Sequence, residues 1–189
     1  FAVLEDVLPP IFAKYGKYNT ASTAPFRRIP YLEAMEKYGT DKPDLRIDLT
    51  VQDLTQLLSG CGFPPFENQR VKAVVVYGFE GSRKQIDKLC ADVEVQTGNK
   101  VYWFRYDEKG ELVGGISKFL QPIKDLVVEA LTLAPGCLVG LSAGTLLAAQ
   151  KTAGVFIKTV APLCPAHFVK ERYEFCWIVD FPMYEIGEE

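Results

Sequence analysis

The chain has 189 residues, enough for one domain of ordinary size and a small appendage. Hydrophobic residues make up 48% of it and charged ones 24%, a composition that supports a buried core and excludes wholesale disorder. Its 24 acidic and 21 basic side chains leave a net charge of −3 and a pI of about 5.4, so no global field draws it to nucleic acid, and any RNA contact must use a local basic patch.

Residues 2 to 15 carry Val3, Leu4, Val7, Leu8, Ile11 and Phe12 at helical spacing. Pro9 and Pro10 sit inside that pattern, remove two backbone donors, and predict a break or kink. Residues 16 to 25 read as a loop, and Phe26 to Tyr31 as a short extended lead-in. Tyr31 to Tyr38 predicts a short helix closed by Gly39, followed by a turn from Asp41 to Leu45. Thr50 predicts the N-cap of a helix through Leu58, ended by Gly60. Phe63 to Phe66, holding Pro64 and Pro65, predicts a short edge strand.

Val71 to Phe79 is a β-branched run of central-strand type. Ser82 predicts the cap of a helix from Arg83 to about Gln96, with Ile86, Leu89, Cys90 and Val93 on one face and Gly98-Asn99 after it. Lys100 to Tyr106 predicts a strand covered on both faces; a turn at Asp107 to Gly110 leads to a short arm at Glu111 to Val113. Pro122 suits the first turn of a helix ending near Leu133. Gly136 to Leu141 reads as a strand, Ser142 as the cap of a helix to Val160, and Tyr173 to Val179 as a last, separate strand. Two early strands joined by a tight turn must be antiparallel. The expected fold class is therefore α+β: two layers, a mostly antiparallel sheet with helices on one face.

No stretch of eighteen apolar residues is present, so no membrane span is expected, and Phe1 opens no basic-then-apolar leader. The five cysteines are odd in number and lack C-x-x-C spacing; they read as reduced and mostly buried, not as metal ligands. Gly140-Leu-Ser142-Ala-Gly144 has the form of a nucleophile elbow. No Asp or Glu stands between Ser142 and His167 to complete a triad, and a helix cap accounts for the same residues. His167 reads as a partly buried or surface histidine, and Gly78-Phe-Glu-Gly81 as a strand-to-helix turn.

The stretch Tyr31-Leu-Glu-Ala-Met-Glu-Lys-Tyr-Gly-Thr-Asp-Lys-Pro-Asp-Leu-Arg46 closely resembles a signature of bacterial-type aspartyl-tRNA synthetases, at the point where the class II catalytic core leads into an inserted domain. Thr40 stands where that family usually has Ser, and the hydroxyl remains. Cys176-Trp-Ile-Val-Asp-Phe-Pro-Met-Tyr-Glu185 resembles the strand by which the family's chain returns to the core. Looser likenesses, at Ser82 to Asp87 and Ile116 to Leu120, lie between them.

The resemblance implies that residues 1–49 are a flanking piece of catalytic core and linker, 50–165 a GAD (DCoH-like) insertion domain, and 166–189 the return strand. It implies a parent that joins aspartate to tRNA(Asp) through an aspartyl-adenylate with ATP and Mg²⁺, a cytoplasmic homodimer without membrane attachment. The chain starts at Phe1, its first methionine is Met35, and no motif 2, motif 3 or His-His-Pro-Phe-Thr run is found. The expectation is an excised or processed piece with no catalytic residue, metal or cofactor of its own, whose partners are the remaining core and, through the parent, tRNA. The alternative is an autonomous RNA- or protein-binding module of the amidotransferase-associated type, against which the two end motifs count. On the same resemblance, Asp41, Lys42, Asp44 and Arg46 would organise the junction with the core or approach the tRNA acceptor end. Arg46 suits a carboxylate or phosphate by its planar fork. Asp180 stands at the return to the core. Arg83 and Lys84 are the basic residues on the insertion, with Arg27 and Arg28 on the flank. A solvated charged turn is the plain alternative for the cluster.

Overall fold

The computed structural model describes residues 1–184; Glu185, the last residue of the return run, and the end of the expected 166–189 segment lie outside the described residues. At the centre is a sheet of β2 (Val51–Asp53), β3 (Arg70–Val76), β4 (Val101–Tyr106), β5 (Leu112–Val113) and β6 (Cys137–Gly144). The order is β2-β3-β6-β4-β5, and every neighbouring pair is antiparallel. The flanks supply a separate parallel ribbon, β1 (Arg27–Pro30) against β7 (Cys176–Val179), with Ile29 opposite Ile178. The helices are α1 (Ala2–Tyr15), α2 (Tyr31–Tyr38), α3 (Thr55–Leu58), α4 (Arg83–Thr97), α5 (Ser117–Leu120), α6 (Lys124–Leu131) and α7 (Leu146–Val160).

The expected α+β class with a mostly antiparallel sheet is what the chain adopts, but helices pack on both faces of the sheet and not on one, because β3 is apolar on both sides and each side needs a cover. The alternation along β3 explains its run of valines. Val74 and Val76 pack under the two long helices α4 and α7 with Ile86, Leu89, Val93 and Phe156. Val71, Ala73 and Val75 point to the opposite face, where the short helices α3, α5 and α6 close over Leu58, Leu120, Val127 and Leu131. A strand buried on both faces has no polar alternation to show. Ser82 caps α4 in a capping box with Gln85, whose Oε1 accepts from Ser82 N at 2.7 Å, and Gly98 ends the helix in the left-handed region.

Five local expectations need correction. The helix of residues 2 to 15 runs unbroken through Pro9 and Pro10, because tertiary contacts hold it on both sides of them. Glu5 Oε1 accepts from Phe26 N at 3.2 Å and from Trp177 Nε1 at 2.7 Å, while the Phe12 ring meets Tyr173 and Phe175 edge-on. Thr50 caps nothing: Val51 to Asp53 is an edge strand on β3, and the single turn of α3 begins only at Thr55, whose N–H is held by Asp53 Oδ1 at 2.8 Å. Pro64 to Phe66 is a 3-10 turn and not a strand, since its rings turn inward: Phe63 lies 4.8 Å from Phe66 and 5.0 Å from Tyr102. The predicted helix ending near Leu133 arrives as α5, a 3-10 turn at Gln121–Ile123 and α6. Ser142 is a strand residue; Thr145 caps α7, accepting from Ala148 N at 3.3 Å.

Candidate functional site

The signature turn begins where α2 stops. Gly39 takes φ of 66°, where a β-carbon is strained, and its N–H returns to Met35 O. It also lies backbone to backbone against α7: a Cβ on Gly154 would come within 2.6 Å of Gly39 O and 2.9 Å of Tyr38 O. Two glycines facing each other thus seat the turn directly on the long helix.

From there the turn is built by its own polar groups. Thr40 Oγ1 accepts from Lys42 N at 3.2 Å. Asp44 receives the Arg46 fork, Nε to Oδ1 at 2.8 Å and Nη2 to Oδ2 at 2.6 Å, with Arg46 N on Oδ1 at 3.1 Å. The side-chain bonds from Arg46 hold the Asp44 carboxyl below the ordinary aspartate value against the opposing push of burial, and the bond from Asp44 holds Arg46 up in return. The planar fork therefore already has a carboxylate, from within the chain. Arg46 lies 5.1 Å over the Phe168 ring, and its main-chain oxygen accepts from Val169 N at 3.0 Å.

That contact opens a neck. Ile47 bridges Phe168 antiparallel, and Asp48 N donates to His167 O at 3.2 Å. His167 locks it: its Nε2 accepts from Tyr77 N at 3.0 Å, so that nitrogen carries no proton, while Nδ1 meets Asp48 Oδ1 at 2.5 Å. The histidine is partly buried, as expected, and ties the outgoing linker, the returning linker and the end of β3 together.

The remaining predicted residues do not join this cluster. Asp41 and Lys42 lie in the turn without a side-chain bond to the Asp44–Arg46 pair, Lys42 exposed. Arg83 and Lys84 begin α4, whose other end approaches the turn, about 21 Å away at 1.5 Å per residue. Arg83 is exposed and makes only a loose contact of 3.8 Å with Asp87. Asp180 follows β7 with φ of 57° beside the start of α2, where Tyr31 meets Phe181, and so lies at the opposite end of α2 from the turn.

A second polar cluster escapes the sequence reading. Lys72 points to the α7 face of β3, its side chain fully buried, with Nζ 2.5 Å from Glu36 Oε1 and 2.9 Å from Asp53 Oδ2. Gln150 of α7 donates to Glu36 Oε2 at 2.8 Å. Burial pushes the Asp53 carboxyl up, but hydrogen bonds from Thr55 and Lys72 outweigh it and bring it below its ordinary value. The available signal was a lysine at an inward position of an apolar strand run, which demands a counter-charge.

Ser142 and two of the thiols are withdrawn from nucleophilic use. Ser142 is buried, its hydroxyl donating to Ala149 O at 2.7 Å, and Gly140 beside it admits the Phe156 ring, 2.5 Å from where a Cβ would stand. Burial pushes the Cys90 thiol up to about 12, helped by Asp87, and Cys137 to about 11. The arrangement is one that fixes a turn and a neck against a sheet.

Residues 1–187 match the family model described as tRNA synthetases class II (D, K and N). The chain is 38% identical over 192 residues to the aspartate–tRNA ligase of Streptomyces coelicolor, covering 100% of this chain and 32% of that protein. It is 39% identical over 193 residues to the aspartate–tRNA ligase of Streptomyces griseus, with the same coverage of 100% and 32%. With that of Streptococcus pneumoniae it shares 40% over 192 residues, covering 98% of this chain and 32% of that protein. The chain thus spans about a third of the length of the curated relatives it matches.

Proposed function

Because the chain belongs to the class II tRNA synthetase family (D, K and N), we propose that it serves as the insertion-bearing segment of an aspartate–tRNA ligase, which joins L-aspartate to tRNA(Asp) through an aspartyl-adenylate. The observation that carries this reading is the match to aspartate–tRNA ligases along essentially the whole chain. On this reading the body of residues 50–165 is a GAD-type insertion domain, and the flanks are parts of the catalytic core of a cytoplasmic, homodimeric enzyme.

The residues described do not fit ATP and Mg²⁺. Among them no three His, Cys, Asp or Glu side chains gather to hold a cation, and the fork of Arg46 is filled by Asp44. On this reading the adenylate chemistry belongs to the rest of the ligase, and this segment positions. The neck of residues 46–48 and 167–169, with the Gly39–Gly154 contact, fixes how the body stands on the flanks. The apolar faces left open on α1, at Val3, Val7 and Ile11, are surfaces for the remaining core.

The test is a chimera in which this chain replaces the matching third of the Streptomyces coelicolor relative. Aspartate-dependent pyrophosphate exchange and charging of tRNA(Asp) are expected from the chimera, and neither from the isolated chain. Exchange by the isolated chain above a boiled control overturns the positioning role. A folded chimera that makes no adenylate overturns the assignment to the ligase.

A further inference from the structure

Lys151 and Lys158 are seven residues apart on α7, and seven steps of about 100° return to within about 20° of the starting face. They therefore project from one side of the helix, about 10 Å apart along its axis. Both are exposed and line an open groove of about 820 Å³ between α7 and the signature turn. Lys42 lines the same groove from the turn. Among the described residues none of these three lysines has a carboxylate within 4.0 Å. The one acid that lines the groove, Asp44, is held by the Arg46 fork, and Lys158 adds only a weaker pull on it without an ion pair.

The uncharged walls suit the same kind of ligand. Thr40 and Thr145 each accept a backbone N–H through the hydroxyl oxygen, from Lys42 and Ala148, which leaves the hydroxyl hydrogen for an incoming acceptor. Thr145 is also the N-cap of the fifteen-residue α7, so the positive end of that helix opens at the groove's rim. On a chain of net charge −3 this is a concentrated cationic strip, the local patch that the composition requires of any RNA contact.

We propose that this groove holds a stretch of RNA sugar-phosphate backbone, an inference that rests on the reading of the chain as part of a tRNA ligase. The separation of Lys151 and Lys158, about 10 Å along the helix, is wider than one phosphate group, and with Lys42 on the facing wall it favours a polyanion over a single phosphate. Tyr38 is the one aromatic lining the groove and is itself buried, so no ring is offered for base stacking. The contact is to the backbone and is independent of sequence.

The test is fluorescence anisotropy of a labelled tRNA(Asp) transcript with the full chain, from 50 to 200 mM KCl. Three phosphate contacts give a slope of log K against log salt of about −2 to −3. Lys151→Glu with Lys158→Glu is expected to weaken binding at least about tenfold, and Lys151→Gln with Lys158→Gln to flatten the slope by about 1.5, from about 0.7–0.9 per contact. Circular dichroism melts check that the Gln pair, which introduces no repulsion, remains folded. Lys109→Glu, in the turn between β4 and β5, carries the same kind of charge change away from the groove and is expected to leave binding unchanged. Absence of binding by the unaltered chain at 50 mM KCl overturns the proposal. So does an equal loss in the Lys109 variant, or competition by inorganic triphosphate at matched phosphate concentration. The aspartate-dependent exchange of the chimera does not pass through these lysines. If it persists while the groove variants bind RNA normally, the groove falls alone; if the chimera makes no adenylate, the ligase reading falls whatever the groove does.

Discussion

Lys72 gives the sharpest test of how the body is fastened to the flank, because its cluster is asymmetric in burial. The lysine side chain is 0% exposed, whereas Glu36 and Asp53 are 52% and 41% exposed. Replacing Lys72 by Met keeps an unbranched stem of similar bulk and frees two carboxylates that can rehydrate where they stand, so the expected cost is within about 1 kcal/mol. The pair Glu36→Gln with Asp53→Asn keeps oxygen acceptors but leaves the buried ammonium without a counter-charge, and breaking a buried pair in this way costs about 3–5 kcal/mol. Adding Lys72→Met to that pair should recover most of the loss, since the three sites share one network. Urea unfolding followed by circular dichroism measures all three variants. A Lys72→Met chain that loses as much as the Gln/Asn pair, or a triple variant that recovers nothing, refutes the reasoning.

Gly154→Ala would ordinarily gain up to about 1 kcal/mol inside a helix, but here the new methyl meets the Gly39 and Tyr38 carbonyl oxygens, and overpacking against backbone costs about 1–3 kcal/mol. A net loss of roughly 1 kcal/mol is expected in a urea melt; a raised midpoint would mean the two backbones do not touch. Asp44 and Asp53 both titrate below the ordinary aspartate value of about 3.8, so their contribution is complete above that pH and fades as the pH falls through the lowered folded values. Urea midpoints between pH 5 and pH 2 should therefore drop steeply at the acid end, and less steeply in Asp44→Asn; identical profiles would remove Asp44 from the account. In the chimera, Arg46→Ala should lower tRNA charging more than pyrophosphate exchange, because its fork holds the turn and not the adenylate. Equal losses would make it a brace for the catalytic core.

What could be read from the sequence was whatever local chemistry decides. Gly39 and Gly98 end their helices in the left-handed region as glycine punctuation implies, and Ser82 with Gln85 forms its capping box at the expected place. Where tertiary contacts set the outcome, the local signals misled. Pro9 and Pro10 are overridden by Glu5 and Phe12, anchored to residues more than twenty positions away or at the far end of the chain. Val51 goes to a strand because Val74 lies across from it, which no window around Thr50 contains. Within the candidate site, the Asp44–Arg46 pair follows from spacing, since two residues apart on a turn lets a fork close on a carboxylate. The Lys72 cluster draws on α2, β2, β3 and α7, and the groove lysines look like the ordinary solvated face of a helix until Lys42 is placed opposite them.

The neck has a consequence for chain closure. Arg46 to Asp48 and His167 to Val169 run side by side, so the points where the chain leaves the flank and comes back are a strand's width apart, about 5 Å. More than a hundred residues lie between two linkers that need stand no further apart than that. The closure entropy of a flexible loop grows with its length, but a folded body with adjacent ends counts as a turn of a few residues. The β1–β7 ribbon, which joins Arg27 to Cys176, is thereby relieved of most of the chain it encloses.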